Sequence, residues 1–311
     1  MGALQDMSLY PRGLRSKVRR VAPANLVAGA RAVVDPRTLI IDWVNRGPVK
    51  DNWGDAIAPV LAELLSGRPV VNVRDIVTTA NKPVYTTIGS MLGTIAARNV
   101  EVWGSGFVDS SHSMKVRPRA IHAVRGPLTR QRLLDSGLDC PDIVGDPALL
   151  YPLFYRPDVP KQYRLGVIPH FRDHELPAAQ RLGEHDDVLV IDLMAGITEV
   201  ADQINACERI ASSSLHGLVA GDGYGIPSIW VRFSDRPYGD GFKFRDYLAS
   251  VGRAGEPEPL MVTTSTSLEE IHDRFPDYRI DIDLDSFLAA CPFLDQSALE
   301  RNRSAGVGRP V

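Results

Sequence analysis

His216 stands where a strand ends and a helix begins, a place that favours chemistry. The run Ser212-Ser213-Ser214-Leu215-His216-Gly217 follows the apolar Ile210-Ala211 and leads into a small-residue segment, Leu218 to Tyr224, closed by Gly225. Ile226-Pro227-Ser228-Ile229-Trp230-Val231 then reads as a new strand. Strand, serine turn, helix, strand puts the histidine at the carboxyl end of a parallel strand. Unpaired backbone N–H groups and the helix dipole attract anions there, and open α/β sheets hold their ligands there. Ser213, Ser214, Leu215 and Gly217 are therefore expected around an anion, with the hydroxyls as caps and donors. The serines lie too close to His216 for a nucleophile triad, and no Gly-x-Ser-x-Gly elbow exists.

Other residues take similar positions. Asp51-Asn52-Trp53-Gly54-Asp55 joins the first strand to the first helix. Asp55 suits an N-cap; as a functional residue it is a base, with Asn52 and Trp53 beside it toward sugar hydroxyls. Trp103-Gly104-Ser105-Gly106 follows another strand, and its glycines let backbone approach a ligand at Ser105. Arg125-Gly126-Pro127 opens a helix from a strand, so Arg125 is either a fork for a carboxylate or phosphate or a surface charge. Gly145-Asp146-Pro147 reads as structural. His170 ends the strand Leu165 to Ile168 and faces the same side as His216, although His170, His174 and His185 also suit solvent. Gly239-Asp240-Gly241 carries Lys243 and Arg245 into a helix, as anion contacts or as exposed charges. A metal site is not expected, since no cysteine accompanies the histidines.

The elements that position these residues alternate along the chain. Thr38 to Val44 reads as a strand, and Asp55 to Leu65 shows one apolar helical face stopped by Gly67. Val70 to Val73, Val84 to Ile88, Val100 to Trp103 and Ala120 to Val124 read as strands, with a helix from Pro127 to Leu134. Tyr151 to Gln162 carries three prolines and reads as a linker. A strand from Arg164 to Ile168, another from Val188 to Leu193 and a helix from Thr198 to Cys207 precede the His216 block. Ser267 to Phe275 and Leu284 to Ala290 read as helical. This alternation predicts α/β architecture with parallel sheets: two Rossmann-like domains, 37–155 and 156–300, facing a cleft, with a basic segment over 1–36 and a disordered tail over 301–311.

At 311 residues, 44% apolar and 23% charged, the chain suits two ordinary globular domains. The net charge of −3 gives no reason to expect nucleic acid. Three scattered cysteines fit a reducing compartment, no run spans a bilayer, and the expected location is cytoplasmic. The basic N-terminus reads either as a solvated segment or as a peripheral membrane contact at the inner face. Oligomeric state is not readable from the sequence.

The combination is more specific than its parts. Asn52-x-Gly54-Asp55, Val124-Arg125-Gly126, Gly145-Asp146-Pro147, Ile168-Pro169-His170, Ser-Leu-His-Gly at His216, then Gly225-Ile226-Pro227 and Lys243-Phe244-Arg245-Asp246-Tyr247 resemble the polysaccharide pyruvyl transferase family. The closing block is similar to the branch acting on exopolysaccharides. The resemblance covers roughly residues 38–250. Many members carry arginine where this chain has Ser214, which shifts anion binding to other cations. The family implies a GT-B-like fold, phosphoenolpyruvate as donor, no cofactor, and a saccharide acceptor, lipid-linked or free. Its product is a cyclic pyruvate ketal with release of phosphate. The second half is then the donor side, through Ser213, Ser214, Leu215, Gly217, His170, Lys243 and Arg245, with Arg125 reaching the donor from the first half. The first is the acceptor side, through Asn52, Trp53 and Ser105. His216 is the expected acid and Asp55 the expected base. A helix N-terminus lowers a histidine pKa, so His216 is expected to gain its proton only with the donor bound. The competing readings are a sugar-nucleotide glycosyltransferase, disfavoured because Asp222 inside a helix suits a ribose poorly, and a non-catalytic carbohydrate-binding protein.

Overall fold

The computed structural model describes residues 35–47 and 50–305. Most of the basic N-terminal segment and residues 306–311 lie outside the described residues. Two five-stranded sheets, every pairing parallel, account for the strands. The first holds β1 (Leu39–Asp42), β2 (Val70–Asn72), β3 (Val84–Thr86), β4 (Val100–Trp103) and β5 (Ala120–Ala123) in the order β2-β1-β3-β4-β5. The second holds β6 (Leu165–Ile168), β7 (Val188–Val190), β8 (Ile210–Ser212), β9 (Ser228–Arg232) and β10 (Leu260–Met261). Its order is β10-β9-β8-β6-β7. Read from its other edge, the second sheet repeats the first: second, first, third, fourth, fifth strand. The central strands are buried on both faces, as parallel sheets require.

Helices fill the crossovers: α1 (Trp53–Ser66), α2 (Pro127–Asp135), α3 (Pro177–Leu182), α4 (Ile197–Asn205), α5 (Leu215–Gly223) and α6 (Phe242–Ser250). Helix α1 starts at an asparagine cap and ends at Gly67 in the left-handed region, donating back to Glu63. Its apolar face, Ile57, Leu61 and Leu65, is buried. Three short helices follow: α7 (Leu268–His272), opened by a Ser267–Glu270 capping box, α8 (Leu284–Ala289) and α9 (Gln296–Ala305).

The halves share one hydrophobic core. Ile41 and Trp53 of the first half belong to the same buried cluster as Ile168, Leu218 and Tyr247 of the second. Trp53 joins them directly: its backbone N–H donates to Leu193 O at 2.8 Å and its indole N–H to Ile197 O at 3.1 Å. The expected linker splits in two. Tyr151 to Tyr155 is mostly buried, continuing a 3-10 helix over Pro147–Leu153, and only 156–162 runs largely exposed. Pro152 therefore marks tight packing against α5, while Pro157 and Pro160 belong to the exposed part.

The end of the chain returns to the first half. Trp103 Nε1 donates to Phe287 O at 3.0 Å and its ring stacks on Phe287 at 4.9 Å. Asn302 Nδ2 donates to Leu64 O at 2.7 Å. Residues 301–305, expected in a disordered tail, complete α9 instead. Only Ala298 and Leu299 are buried in that helix, a pattern too short to register as periodicity.

Candidate active site

Strand order reverses between β1 and β3 in the first sheet and between β6 and β8 in the second. Ligands of open parallel sheets bind at such reversals, beyond the carboxyl ends of the strands. The chain leaving β1 enters α1 through Asn52, Gly54 and Asp55. The chain leaving β3 turns at Gly89-Ser90. In the second half, β6 ends beside His170, and β8 runs into Ser213, Ser214 and His216. The structure brings these reversals together. The His216 imidazole lies on the Cα of Gly54, so close that a Cβ there would sit 1.7 Å from its Nδ1.

Asn52 is the N-cap of α1; its Oδ1 accepts from Gly54 N at 3.2 Å. The expected capping role of Asp55 thus falls to Asn52, through its Oδ1. Asp55 sits in the first turn with its carboxyl released from capping. Burial drives its pKa up to about 7, against the pull of Arg74, Lys243 and the Val44 N–H. Lys243 falls to about 8, through burial and the Arg125 charge, with Asp55 opposing. His216 falls to about 3, through burial and then Lys243 and Arg125. His170 falls to about 3, through burial and then Lys243 and Arg172. Lys243 is the common element: its charge acts on Asp55, His170 and His216 alike. At neutral pH both histidines are uncharged, Asp55 is partly protonated, and Lys243 supplies the positive charge.

The histidines have defined surroundings. His170 Nδ1 accepts from Arg172 N–H at 3.3 Å, which leaves the proton of the neutral ring on Nε2. His170 N–H donates to Ser213 Oγ at 2.7 Å, leaving the Ser213 hydroxyl proton for another acceptor. His216 Nε2 is shielded from water and has no partner among the described residues. Such an atom costs stability unless a ligand meets it. Ser214 is the N-cap residue of α5, but its side chain makes no capping bond, so the amides of the first turn carry no side-chain cap. Leu215 is buried packing, and Gly217 lets α5 lie against Ser212: a Cβ there would come 2.3 Å from Ser212 Oγ.

Four expected site residues act otherwise. Arg125 is fully buried. Its Nε and Nη2 donate to Asp246 Oδ2 at 3.1 and 2.9 Å, Nη2 also to Phe107 O at 2.7 Å, and Nη1 to Ser90 Oγ at 2.8 Å. It is a strut between the halves whose field reaches His216 and Lys243, not an open anion fork. Arg245 is exposed and pairs with Glu258 at 3.2 Å. It lies two residues from Lys243 on one helix, and residues so spaced do not share a face. Trp53 is spent on the second half, as described above. Ser105 is fully buried; it donates to Gly89 O at 2.9 Å and accepts from Met91 N at 3.2 Å, shaping the turn after β3. Asp146 keeps its structural role, accepting from Ala148 N at 3.0 Å. Asp222 is enclosed by Tyr247, Tyr278, Ser228 and Arg253. That network leaves nothing for a ribose.

Sequence reasoning passed over Ser90 and Arg74. Ser90 follows a strand end, as His170 does, and a topology-aware reading would have included it. Arg74 donates to Asp42 Oδ1 at 2.6 Å and lowers the Asp55 pKa from a neighbouring strand end; nothing in its local sequence shows this. Among the described residues no three His, Cys, Asp or Glu side chains converge as a metal site.

Residues 115–235 match the family model described as polysaccharide pyruvyl transferase. Over 213 residues the chain is 34% identical to uncharacterized protein L143 of Acanthamoeba polyphaga mimivirus, covering 66% of this chain and 72% of the relative. The chain belongs to the polysaccharide pyruvyl transferase family. Membership supports a role in pyruvyl transfer in polysaccharide synthesis. The part of the chain that matches the family model carries Arg125, His170 and the Ser213–His216 turn. Asp55 and Lys243 lie outside that span and reach the same place through the fold. Among the described residues, no helix is long and apolar enough to cross a membrane.

The Gly54–His216 contact gives a direct test. Alanine stabilises a helix by about 1 kcal/mol relative to glycine, so local propensity favours Gly54→Ala. The added methyl cannot coexist with the imidazole where it stands, and His216 must move. Gly54→Ala is expected to keep its far-ultraviolet circular dichroism and to lose about 100-fold or more in turnover, the effect of a misplacement of about 1 Å. Wild-type turnover in this variant would show that His216 position does not matter.

Proposed function

We propose that this seam transfers the pyruvate unit of phosphoenolpyruvate to two hydroxyls of one sugar, forming a cyclic ketal and releasing inorganic phosphate. The observation that carries the reading is the convergence of Asp55, from the first half, with His216 and Lys243, from the second, where both strand orders reverse. On this reading the two facing sheets are a GT-B-like arrangement. The acceptor is a polysaccharide or glycolipid precursor, and the location is cytoplasmic, with a lipid-linked acceptor at the inner membrane face.

The chemistry assigns each group a task. The donor is a small anion. Lys243, the first-turn amides of α5 and the Ser213 hydroxyl suit its phosphate and carboxylate. A proton must reach the methylene carbon of the enol so that the neighbouring carbon becomes electrophilic. One sugar hydroxyl adds there and loses its proton to Asp55. Phosphate then leaves with the electron pair of the C–O bond, and the second hydroxyl closes the ring. Two hydroxyl protons are released: one balances that delivered to carbon, the other leaves with phosphate. His216 is neutral in the free protein and takes its proton when the donor anion offsets Lys243 and Arg125.

The test is release of inorganic phosphate from phosphoenolpyruvate that depends on an added saccharide. Asp55→Asn is expected to lower that rate about 10²–10⁴-fold, the usual contribution of a general base. In the wild type, kcat/KM should rise as Asp55 ionises through pH about 7 and fall as Lys243 loses its proton through pH about 8. Asp55→Asn should lose the rising limb and bring the falling limb to lower pH, because the Asp55 charge holds the Lys243 pKa up. Full activity in that variant would remove Asp55 from the mechanism. Turnover of nucleotide sugars with phosphoenolpyruvate inert would replace the reading with glycosyl transfer.

A further inference from the structure

A cavity of about 250 Å³ opens beside the candidate active site, and Ser213 and Lys243 belong to both. Sites for drug-sized ligands run to about 300–1,000 Å³, so this one suits a single sugar ring and not a nucleotide sugar. Its charged lining is balanced. Arg232, Lys243 and Arg245 face Asp235, Asp240 and Glu258. Arg232 pairs with Asp235, and Arg245 with Glu258. A charged ligand gains little from such a wall. A neutral polyol is matched, because each hydroxyl both donates to a carboxylate and accepts from a guanidinium. The remaining walls are aromatic. Trp230 stacks on Phe244 at 4.4 Å, and Tyr238 stands 54% exposed at the rim. Flat rings with polar edges suit the C–H faces of a pyranose.

We propose that this cavity holds one neutral sugar ring of the acceptor, next to the ring that receives pyruvate. The inference rests on the function proposed above. It also moves part of the acceptor to the second half, which the sequence had given wholly to the donor. The acceptor then spans from Asp55, past Lys243, to Trp230.

The experiment uses the full chain labelled with 5-fluorotryptophan. The sequence has four tryptophans, so four fluorine resonances are resolved, and Trp230→Phe identifies that of Trp230. The probes are methyl β-galactoside, methyl β-glucoside and methyl α-mannoside, with glucose 1-phosphate as the charged control. At least one neutral glycoside is expected to shift the Trp230 resonance while those of buried Trp53 and Trp103 stay in place. Tyr238→Ala should weaken that shift about tenfold, as loss of one aromatic contact at a binding hot spot does. Asp235→Asn, at an exposed position, should weaken it while leaving phosphoenolpyruvate affinity unchanged. If no neutral glycoside moves the Trp230 resonance, or only the phosphorylated sugar does, the proposal is overturned. Loss of phosphoenolpyruvate binding with the glycoside shift intact would overturn the donor assignment and leave this cavity a saccharide site.

Discussion

His216→Gln is expected to lower ketal formation about 10²–10⁴-fold, the range of a general acid, with no loss of thermal stability. The structure gives the reason for both halves of that result. His216 Nε2 makes no hydrogen bond among the described residues, so the ring satisfies no buried group whose loss would weaken the fold. Its pKa of about 3 follows from burial, Lys243 and Arg125. Because that value lies below the ordinary histidine value of 6.5, the unfolded chain takes up a proton on this side chain before the folded one does. The stability owed to neutral His216 is present above pH 6.5 and is lost as pH falls toward 3. His216→Gln should flatten that part of the acid denaturation curve. Donor binding acts in the opposite sense: a bound anion raises the pKa and draws in a proton. Calorimetry of phosphoenolpyruvate binding in buffers of different ionisation enthalpy should show proton uptake in the wild type and less in His216→Gln. Equal uptake in both would exclude His216 as the acid.

Arg125→Met is expected to destabilise the protein by about 3–5 kcal/mol, the cost of stranding the other half of a buried pair. For a chain of this size the melting temperature should then fall by roughly 6–20 °C. Asp246 is fully buried, and besides Arg125 it accepts from Thr129 N at 2.8 Å and from Thr129 Oγ at 2.7 Å. Without Arg125 its charge has hydrogen bonds but no counter-ion. Adding Asp246→Asn to Arg125→Met removes the stranded charge and should recover part of the loss. A second readout separates this from ordinary core damage. Arg125 lowers the pKa of both Lys243 and His216, so Arg125→Met should raise both, measured by NMR titration. Wild-type melting in the single variant would show that the pair does not hold the halves together.

Much of the candidate site was legible, because a residue's position at a strand end depends only on local pattern. Apolar runs and helical periodicity located most strands and helices to within a few residues. The small-residue run after Ser214 placed His216 in the first turn of its helix. The first-turn place of Asp55 was legible too, although its cap was misassigned: Asn52 and Asp55 both suit the role, and only the chain direction entering α1 selects Asn52. Lys243 and Arg245 show a limit that reasoning alone could have met. Two residues apart on a helix, they lie some 200° apart around its axis, so they do not meet one anion side by side: Arg245 reaches only the adjoining cavity.

What the sequence determined by itself was therefore local: the order of elements, their parallel α/β character, and which polar residues end strands. Tertiary structure decided which strands are neighbours, since parallel strands buried on both faces look alike and carry no mark of their partners. It decided the fate of the charges for the same reason. Arg125 resembles an anion fork until Asp246, 121 residues away, takes it into the core. Asp55 and His216 acquire their shifted pKa values only when two strand reversals meet at Gly54, because burial and electrostatic fields depend on distances in space that no spacing along the chain records.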